Sequence, residues 1–323
     1  MSPDTKTRST KTRSTEFMIN PVLDRELRVR MRTKRAPAIL TIYLLVLSAI
    51  AFLTFQALSS ILDDPFNEAS ALAVAQIGRG IFEWLLFFMT MLVFFLVPGT
   101  TAGVIAGERE RQTLVPLQVT LLKPRSILLG KIGAATAFIA LLIVAALPLL
   151  TMAFLIGGVT VWRILASVLT LLAVALIIAA LSAAISTFTK RTPTAVVLSY
   201  GLVLVLLAGT MVFVGALAIM DEVTGSEGLA DAGRVVLHLN PLLVVTDVAE
   251  SRPNFNTSAI SPFDPLKLLI DPDLDAFDPG GADAGSDRRV PFWSTSLLSL
   301  VVLASGALVV ATRRLTTPAA SDR

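Results

Sequence analysis

Six stretches of this chain contain no Asp, Glu, Lys, Arg or His: residues 36–62, 84–107, 132–162, 164–189, 192–220 and 290–312. Each exceeds the roughly 20 apolar residues that cross a hydrocarbon core about 30 Å thick. A soluble helix of that length keeps a polar face toward water, so the stretches read as six transmembrane helices at about 37–59, 84–106, 132–157, 164–188, 194–219 and 291–311. The expected fold class is an all-α membrane protein, with residues 18–315 as one transmembrane domain. Charged residues make up only 16% of the chain, against about 25% in soluble domains. No cysteine is present, which excludes disulfides, thiol catalysis and cysteine-ligated metals.

Charge sets the expected orientation. Of the 27 Lys and Arg, 20 fall in the first 36 residues, in 107–131, in 189–194 and in the tail from 312, while 17 of the 24 acids fall in the alternate loops. Basic residues are retained on the cytoplasmic side. The chain is therefore expected to be a multi-pass protein of the plasma (inner) membrane with both termini, including the tail 316–323, in the cytoplasm. The pI near 9.4 then reflects a basic face toward anionic membrane lipid; no nucleic-acid-binding motif is visible.

Residues 1–17 repeat Lys-Thr-Arg-Ser-Thr twice and are almost devoid of apolar side chains, so a disordered basic tail is expected there. They lack the apolar core of a signal peptide, which makes the first span an uncleaved anchor, and Met18 is a candidate natural start. Next, Asn20-Pro21 followed by Asp24 is a helix-start signal. Leu23, Leu27 and Met31 recur every four residues among Arg25, Glu26, Arg28, Arg30 and Arg32, which predicts a cytoplasmic amphipathic helix lying in the membrane interface. The alternative for this segment is a disordered basic flank.

The second span ends with Gly99, Gly103 and Gly107 at a spacing of four. That spacing lines one helix face along which a neighbouring backbone can approach closely. Pro98 removes a backbone donor and predicts a kink beside that face. Ordinary helix packing without motion is the alternative reading.

The cytoplasmic loop 107–131 carries charge at both ends, in Glu108-Arg109-Glu110-Arg111 and from Lys123 to Lys131, around an uncharged middle containing Leu114, Leu117, Val119, Leu121 and Leu122. This middle is too short to span the bilayer and too apolar for a solvated loop. The protein's own helix ends, the lipid interface and a groove on a cytoplasmic partner are candidate covers. The run Glu-Arg-Glu-Arg-x-Thr-Leu, then Thr120 and Lys-Pro-Arg-Ser-Ile-Leu-Leu-Gly-Lys, resembles the loop after the second span of ABC-2 type permeases, the membrane subunits of ATP-binding-cassette exporters. The Asn-Pro-Val-Leu-x-Arg-Glu-Leu-Arg segment before the first span is similar to the start of the same family. Four positions depart from the family pattern: Gln112 replaces the usual glycine, Val115 and Pro116 stand where an acid and a leucine are common, and Leu121 stands where proline often follows threonine.

The resemblance implies an exporter permease working with a separate ATPase subunit, which would hold the ATP and Mg; no cofactor is expected on this chain. It implies that Glu108, Arg109, Glu110, Arg111, Gln112, Thr113, Leu114, Leu117, Gly130 and Lys131 couple to that ATPase, with Arg25, Glu26 and Arg28 of the amphipathic helix contributing to the same surface. It also implies a second permease protomer, identical or paralogous, and short re-entrant helices before the last span.

The residues themselves support a passive membrane subunit. A P-loop needs Gly-Lys-Ser or Gly-Lys-Thr, whereas the only Gly-Lys, Gly130-Lys131, is followed by Ile132. The six charge-free spans hold no carboxylate or histidine for a proton or sodium relay, nor the paired acids of an intramembrane enzyme.

Between the fifth and sixth spans lies an extracytoplasmic loop, 220–290, that needs its own explanation. Its apolar stretch Val235–Thr246 is divided by Asn240-Pro241 and predicts one or two short interfacial helices. Its later aspartates fail the EF-hand pattern, because a loop starting at Asp271 offers Ala276 and Ala282 where glycine and glutamate are required. His238, the single histidine, makes no metal site alone, and Asn256-Thr257-Ser258 is a glycosylation sequon where the host modifies such loops. A substrate path is expected along the second and fifth spans, at Phe87, Phe88, Met89, Phe94, Phe95, Ser199, Tyr200 and Met211; lipid-facing or packing roles are the alternative. The competing function is a non-transporting membrane anchor or assembly protein.

Overall fold

The computed structural model describes residues 35–59, 71–112, 124–224, 233–249, 261–263, 265–266 and 291–316. Ten α-helices run through them: α1 (Arg35–Ser59), α2 (Ala71–Thr101), α3 (Gly103–Glu110), α4 (Pro124–Ala145), α5 (Leu147–Ile156), α6 (Val161–Phe188), α7 (Thr192–Leu204), α8 (Thr210–Thr224), α9 (Pro241–Ala249) and α10 (Phe292–Thr316). A π-turn, Val205–Gly209, joins α7 to α8, and a 3-10 turn, Val235–Leu239, precedes α9. No strand occurs among the described residues. They make six spans long and apolar enough to cross a membrane: α1, α2 with α3, α4 with α5, α6, α7 with α8, and α10. The expected amphipathic helix, with Arg25, Glu26 and Arg28, the tail 1–17, the loop residues Thr113, Leu114 and Leu117, the tail 317–323 and most of the acidic loop lie outside the described residues.

The hub is α6, which packs against α2, α4, α10, α9, α7 and α3. Its buried positions are rich in small side chains, among them Ser167, Ala175, Ala179, Ser182, Ala183 and Ala184, so neighbouring helix axes can come close and collect dispersion contacts that lipid does not supply. At the periphery, α1 packs on α2 and α4 and leaves Leu45, Leu53 and Phe52 exposed, as a lipid-facing helix should.

The second span begins earlier than the charge-free stretch allows. Helix α2 starts at Ala71 and includes Arg79 and Glu83, whose side chains pair at 2.9 Å one turn apart. Glu83 is only 1% exposed. The expectation of spans free of carboxylates is therefore corrected. An i,i+4 ion pair lets the Glu83 carboxylate be buried against Arg79, which is itself part-buried, and a count of charge-free residues stops at such a pair.

Proline and glycine punctuate the other spans. The helix interruption foreseen at Pro98 falls four residues later, at Ala102, between α2 and α3. Helix α4 begins at Pro124, and the third span, Leu128–Ile156, is interrupted at Ala146, two residues before Pro148. It ends at Gly157 and Gly158, both with positive φ, in a turn pressed against the start of α2. A Cβ on Gly158 would land on the carbonyl of Ala75.

Before the last span the chain turns back into the bundle. All of Pro241–Thr246 is buried, and α9 packs against α6 and α10, so this is an inserted element and not a helix resting on the surface. Asn240 caps it, accepting the Leu242 amide on Oδ1 at 3.0 Å, with Pro241 in the first helical position where no amide is needed. Asp247 Oδ2 accepts the amide of Trp293 at 2.8 Å and so covers the first turn of α10.

Candidate functional site at the basic end

At the end of the bundle that carries most Lys and Arg, α3 meets the ends of three other spans. Its first turn, where a new helix leaves amides short of carbonyl partners, is served from α6. Ser186 Oγ accepts from the amides of Ile105 at 3.1 Å and Ala106 at 2.8 Å. Its last turn, four charged residues past the apolar part of the span, reaches outward in three directions.

The Nζ of Lys131 donates to Glu108 Oε1 at 2.7 Å, which ties α3 to α4. Arg109 donates through Nη1 to the Thr189 carbonyl at 3.0 Å and through Nη2 to that of Thr187 at 3.4 Å. These carbonyls close α6, so the guanidinium neutralises the negative end of that helix. Arg314 lies over the ring of Phe188 at 4.6 Å, placing a second cation at the same helix end. Glu110 Oε2 accepts from the Thr192 amide at 3.2 Å and from its hydroxyl at 2.7 Å, which caps α7 from another span. Those two bonds, with Arg191 and Arg111 nearby, hold the Glu110 carboxyl below its ordinary range.

Arg111 and Gln112 are exposed and close α3, with the amide of Arg111 returning to Gly107 at 3.1 Å and that of Gln112 to Arg109 at 3.1 Å. Gln112 has φ of 57°, the left-handed conformation in which helices commonly end on glycine. Gly130 is buried beside Lys131.

The glycine stripe faces α7. A Cβ on Gly99 would stand 2.9 Å from the Tyr200 hydroxyl, one on Gly103 3.0 Å from Thr192 Cγ2, and one on Gly107 3.7 Å from Thr192 Oγ1. Tyr200 uses the room by donating its hydroxyl to the carbonyl of Phe95 at 2.7 Å. A cleft of about 610 Å³ opens at this junction, lined by Thr100, Gly103, Gly107, Glu108, Lys131 and Thr192 among others.

The eight path candidates do not form one surface. Met89, Phe94 and Ser199 are buried, whereas Phe95 is 72% exposed and Phe88 37%. Phe87 meets Phe263 edge to face at 5.8 Å, and Met211 packs on the core. Adjacent residues of a helix lie about 100° apart, so a run such as Phe87-Phe88-Met89 spreads over its circumference. Phe95 and Tyr200 do stay together, with ring centres 5.9 Å apart.

Sequence reasoning missed Ser186, Thr192, Asn240 as a contact to span 5, and Glu83. For Thr192 a signal exists: the Thr-Pro pair after Lys190-Arg191 marks a helix start that an acid from elsewhere can cap. For Ser186 none does, because a serine within an apolar helix bonds its own backbone by default.

A family model described as ABC-2 family transporter protein matches residues 56–313. No curated protein matches the chain.

Proposed function

Because the chain belongs to the ABC-2 transporter family, a membrane-spanning component of ABC transporters, we propose that it is the permease subunit of an ATP-driven exporter. It dimerises with itself or a paralogue and is moved by a separate ATPase that carries the ATP and Mg. The observation that carries the reading is the wiring of α3. Glu108, Arg109 and Glu110 are three consecutive residues, and each holds a different span. A displacement of this one helical turn therefore reaches spans three, four and five together. Arg111 and Gln112 point outward, where a cytoplasmic partner can push on that turn.

The basic end is the cytoplasmic one in this reading, by the retention of Lys and Arg. ATP closes the ATPase dimer, α3 and the segment to Lys131 carry the movement inward, and a path beside Phe95 and Tyr200 changes its accessible side. The hydrolysis chemistry belongs to the partner; this chain supplies the lever and the path.

Two measurements test it. Co-expression with the cognate ATPase should give a stable complex that hydrolyses ATP, while the pure chain alone should hydrolyse none; a chain that binds no ATPase would instead be an anchor or assembly protein. Tags at residues 10 and 320 should be cytoplasmic and one near Gly281 extracytoplasmic, and a cytoplasmic Gly281 in intact cells would overturn the orientation.

A further inference from the structure

The fifth span is not one helix. Between α7 and α8 the backbone widens into the π-turn Val205–Gly209, closed by the Thr210 amide bonding back to the carbonyl of Val205. A π-turn places one residue more in the turn than an α-helix does. It turns the face of everything beyond it by about 100° and leaves carbonyls that the ladder no longer serves. At this turn two side chains donate to the backbone carbonyls of the joint. The Thr210 hydroxyl donates to Leu206 O at 2.9 Å. Asn240 Nδ2 donates to Leu207 O at 3.0 Å and to the Thr210 hydroxyl at 2.9 Å.

Asn240 lies on the inserted element, 33 residues away from Leu207 in sequence, and is wholly buried. Its Oδ1 is already committed to the Leu242 amide, so both ends of the side-chain amide are engaged and its orientation follows from its partners. The element it belongs to is held from the last span as well, by the Ser299 hydroxyl donating to the His238 carbonyl at 2.8 Å and by Asp247 at the amide of Trp293. Thr210 sits about 16 Å along the helix axis from Asp221, so the contact is made deep in the bundle and out of reach of bulk water.

We propose that Asn240 and Thr210 are positioning residues for transport: they latch a joint at Val205–Gly209, and release of the latch rotates the outer half of the fifth span when the ATPase pulls on its inner half through Glu110. The inference rests on the transport reading above. Its physical basis is bistability. In a dry bundle the released carbonyls must find donors, and they do so either through Asn240 and Thr210 with the π-turn present or through the helix's own amides with the π-turn annealed. An intermediate geometry leaves polar groups bare. The joint therefore has two discrete states, and closely packed elements switch between such states more readily than they deform continuously.

The chain contains no cysteine, so nitroxide labels can be placed singly at positions 211–219 of the full-length protein without further changes. Molecular oxygen is the probe, since its accessibility reports lipid-facing positions inside a bilayer. In the resting permease reconstituted with its ATPase, accessibility should peak at Val212, Phe213, Gly215 and Ala216 and dip at Val214, following their exposure. Trapping the complex with ATP and vanadate should shift the phase of that pattern by about 100°, one residue's worth of rotation. Thr210→Val should shift the resting pattern in the same sense, Thr210→Ser should restore it, and Asn240→Ala should reproduce the Thr210→Val result.

An unchanged phase on trapping a complex that hydrolyses ATP normally before vanadate is added overturns the joint while leaving the transport reading standing. A chain that recruits no ATPase overturns the transport reading instead, and the resting patterns of wild type, Thr210→Val and Thr210→Ser then decide the latch: no difference among them removes it.

Discussion

Lys131 and Glu108, 23 residues apart, meet at 2.7 Å on the basic end of the bundle, so the last turn of the second span is bonded to the third before any partner arrives. The pair is mostly enclosed, with 10% of the lysine and 27% of the glutamate side chain exposed. Breaking a charge-assisted bond in such a place costs roughly 1.5–3 kcal/mol, more than an exposed ion pair is worth. Glu108→Lys or Lys131→Glu alone should destabilise the purified permease by that order, and the exchanged pair should recover at least half of the loss. Co-purification of the ATPase separates two roles for Glu108. Recovery in the exchanged pair means that it acts by holding the fourth helix; persistent loss means that the partner reads the carboxylate directly.

Glu110 makes stability depend on acid pH. Its carboxyl titrates below its ordinary 4.5 because the charged form accepts two bonds from Thr192. The folded state therefore binds the proton less readily than the unfolded chain does. This contribution is complete above about pH 4.5 and fades as the pH falls through the lower, folded value. Thermal unfolding of wild type should lose more stability between pH 6 and pH 3.5 than that of Glu110→Gln. Equal slopes would show that the capping bonds carry no charge-dependent stability.

Gln112 occupies a left-handed position, with φ of 57°, where the permeases this loop resembles usually have glycine. Gln112→Gly should raise stability by about 0.5–1 kcal/mol, after the greater freedom of glycine in the unfolded chain is allowed for. Gln112→Val should lower it, since a β-branched residue tolerates that conformation least. The check is a pair of melting curves in the same lipid. A lower melting temperature for the glycine variant would contradict the strain argument.

Two glycines on helices should respond in opposite ways to the same methyl group. At Gly78 a Cβ would land on the carbonyl oxygen of Gly157 and stand 2.8 Å from that of Ala153. These are backbone atoms that cannot turn aside, so Gly78→Ala should cost several kcal/mol and reduce the yield of folded protein. At Gly201 nothing lies within 4 Å, and Gly201→Ala should be neutral or stabilising by up to about 1 kcal/mol. Comparable expression and melting of the two variants would mean that the start of α2 does not pack on the 157–158 turn in the membrane.

Much of the architecture was legible because apolar length is a local property. The stretch 164–189 must be dry throughout, and α6 occupies Val161–Phe188. Asn240-Pro241 divides the apolar stretch of the outer loop, and α9 begins at Pro241. Boundaries failed where a charge is neutralised by its own helix, as with Arg79 and Glu83. Within the candidate site, Glu108, Arg109, Glu110 and Lys131 could be picked out by type and place, but the partners of Arg109 and Glu110 could not. Thr189 and Thr192 lie 80 and 82 residues downstream of Arg109 and Glu110, in segments that look like ordinary span end and ordinary turn.

That division follows from how each kind of interaction is chosen. Burial in lipid is decided residue by residue against one solvent, so sequence alone determined that six segments leave water and that basic residues gather at one end of them. Hydrogen-bond partners are decided by which helix ends and widened turns come to lie side by side. A carboxylate can cap α7, and an amide side chain can fill the gap in a π-turn, only after the packing of α6 against its neighbours has brought those orphaned backbone groups within 3 Å or so. The placement of Glu110 on Thr192, and of Asn240 on Leu207, belongs to the assembled bundle, because no property of either residue by itself singles out the other.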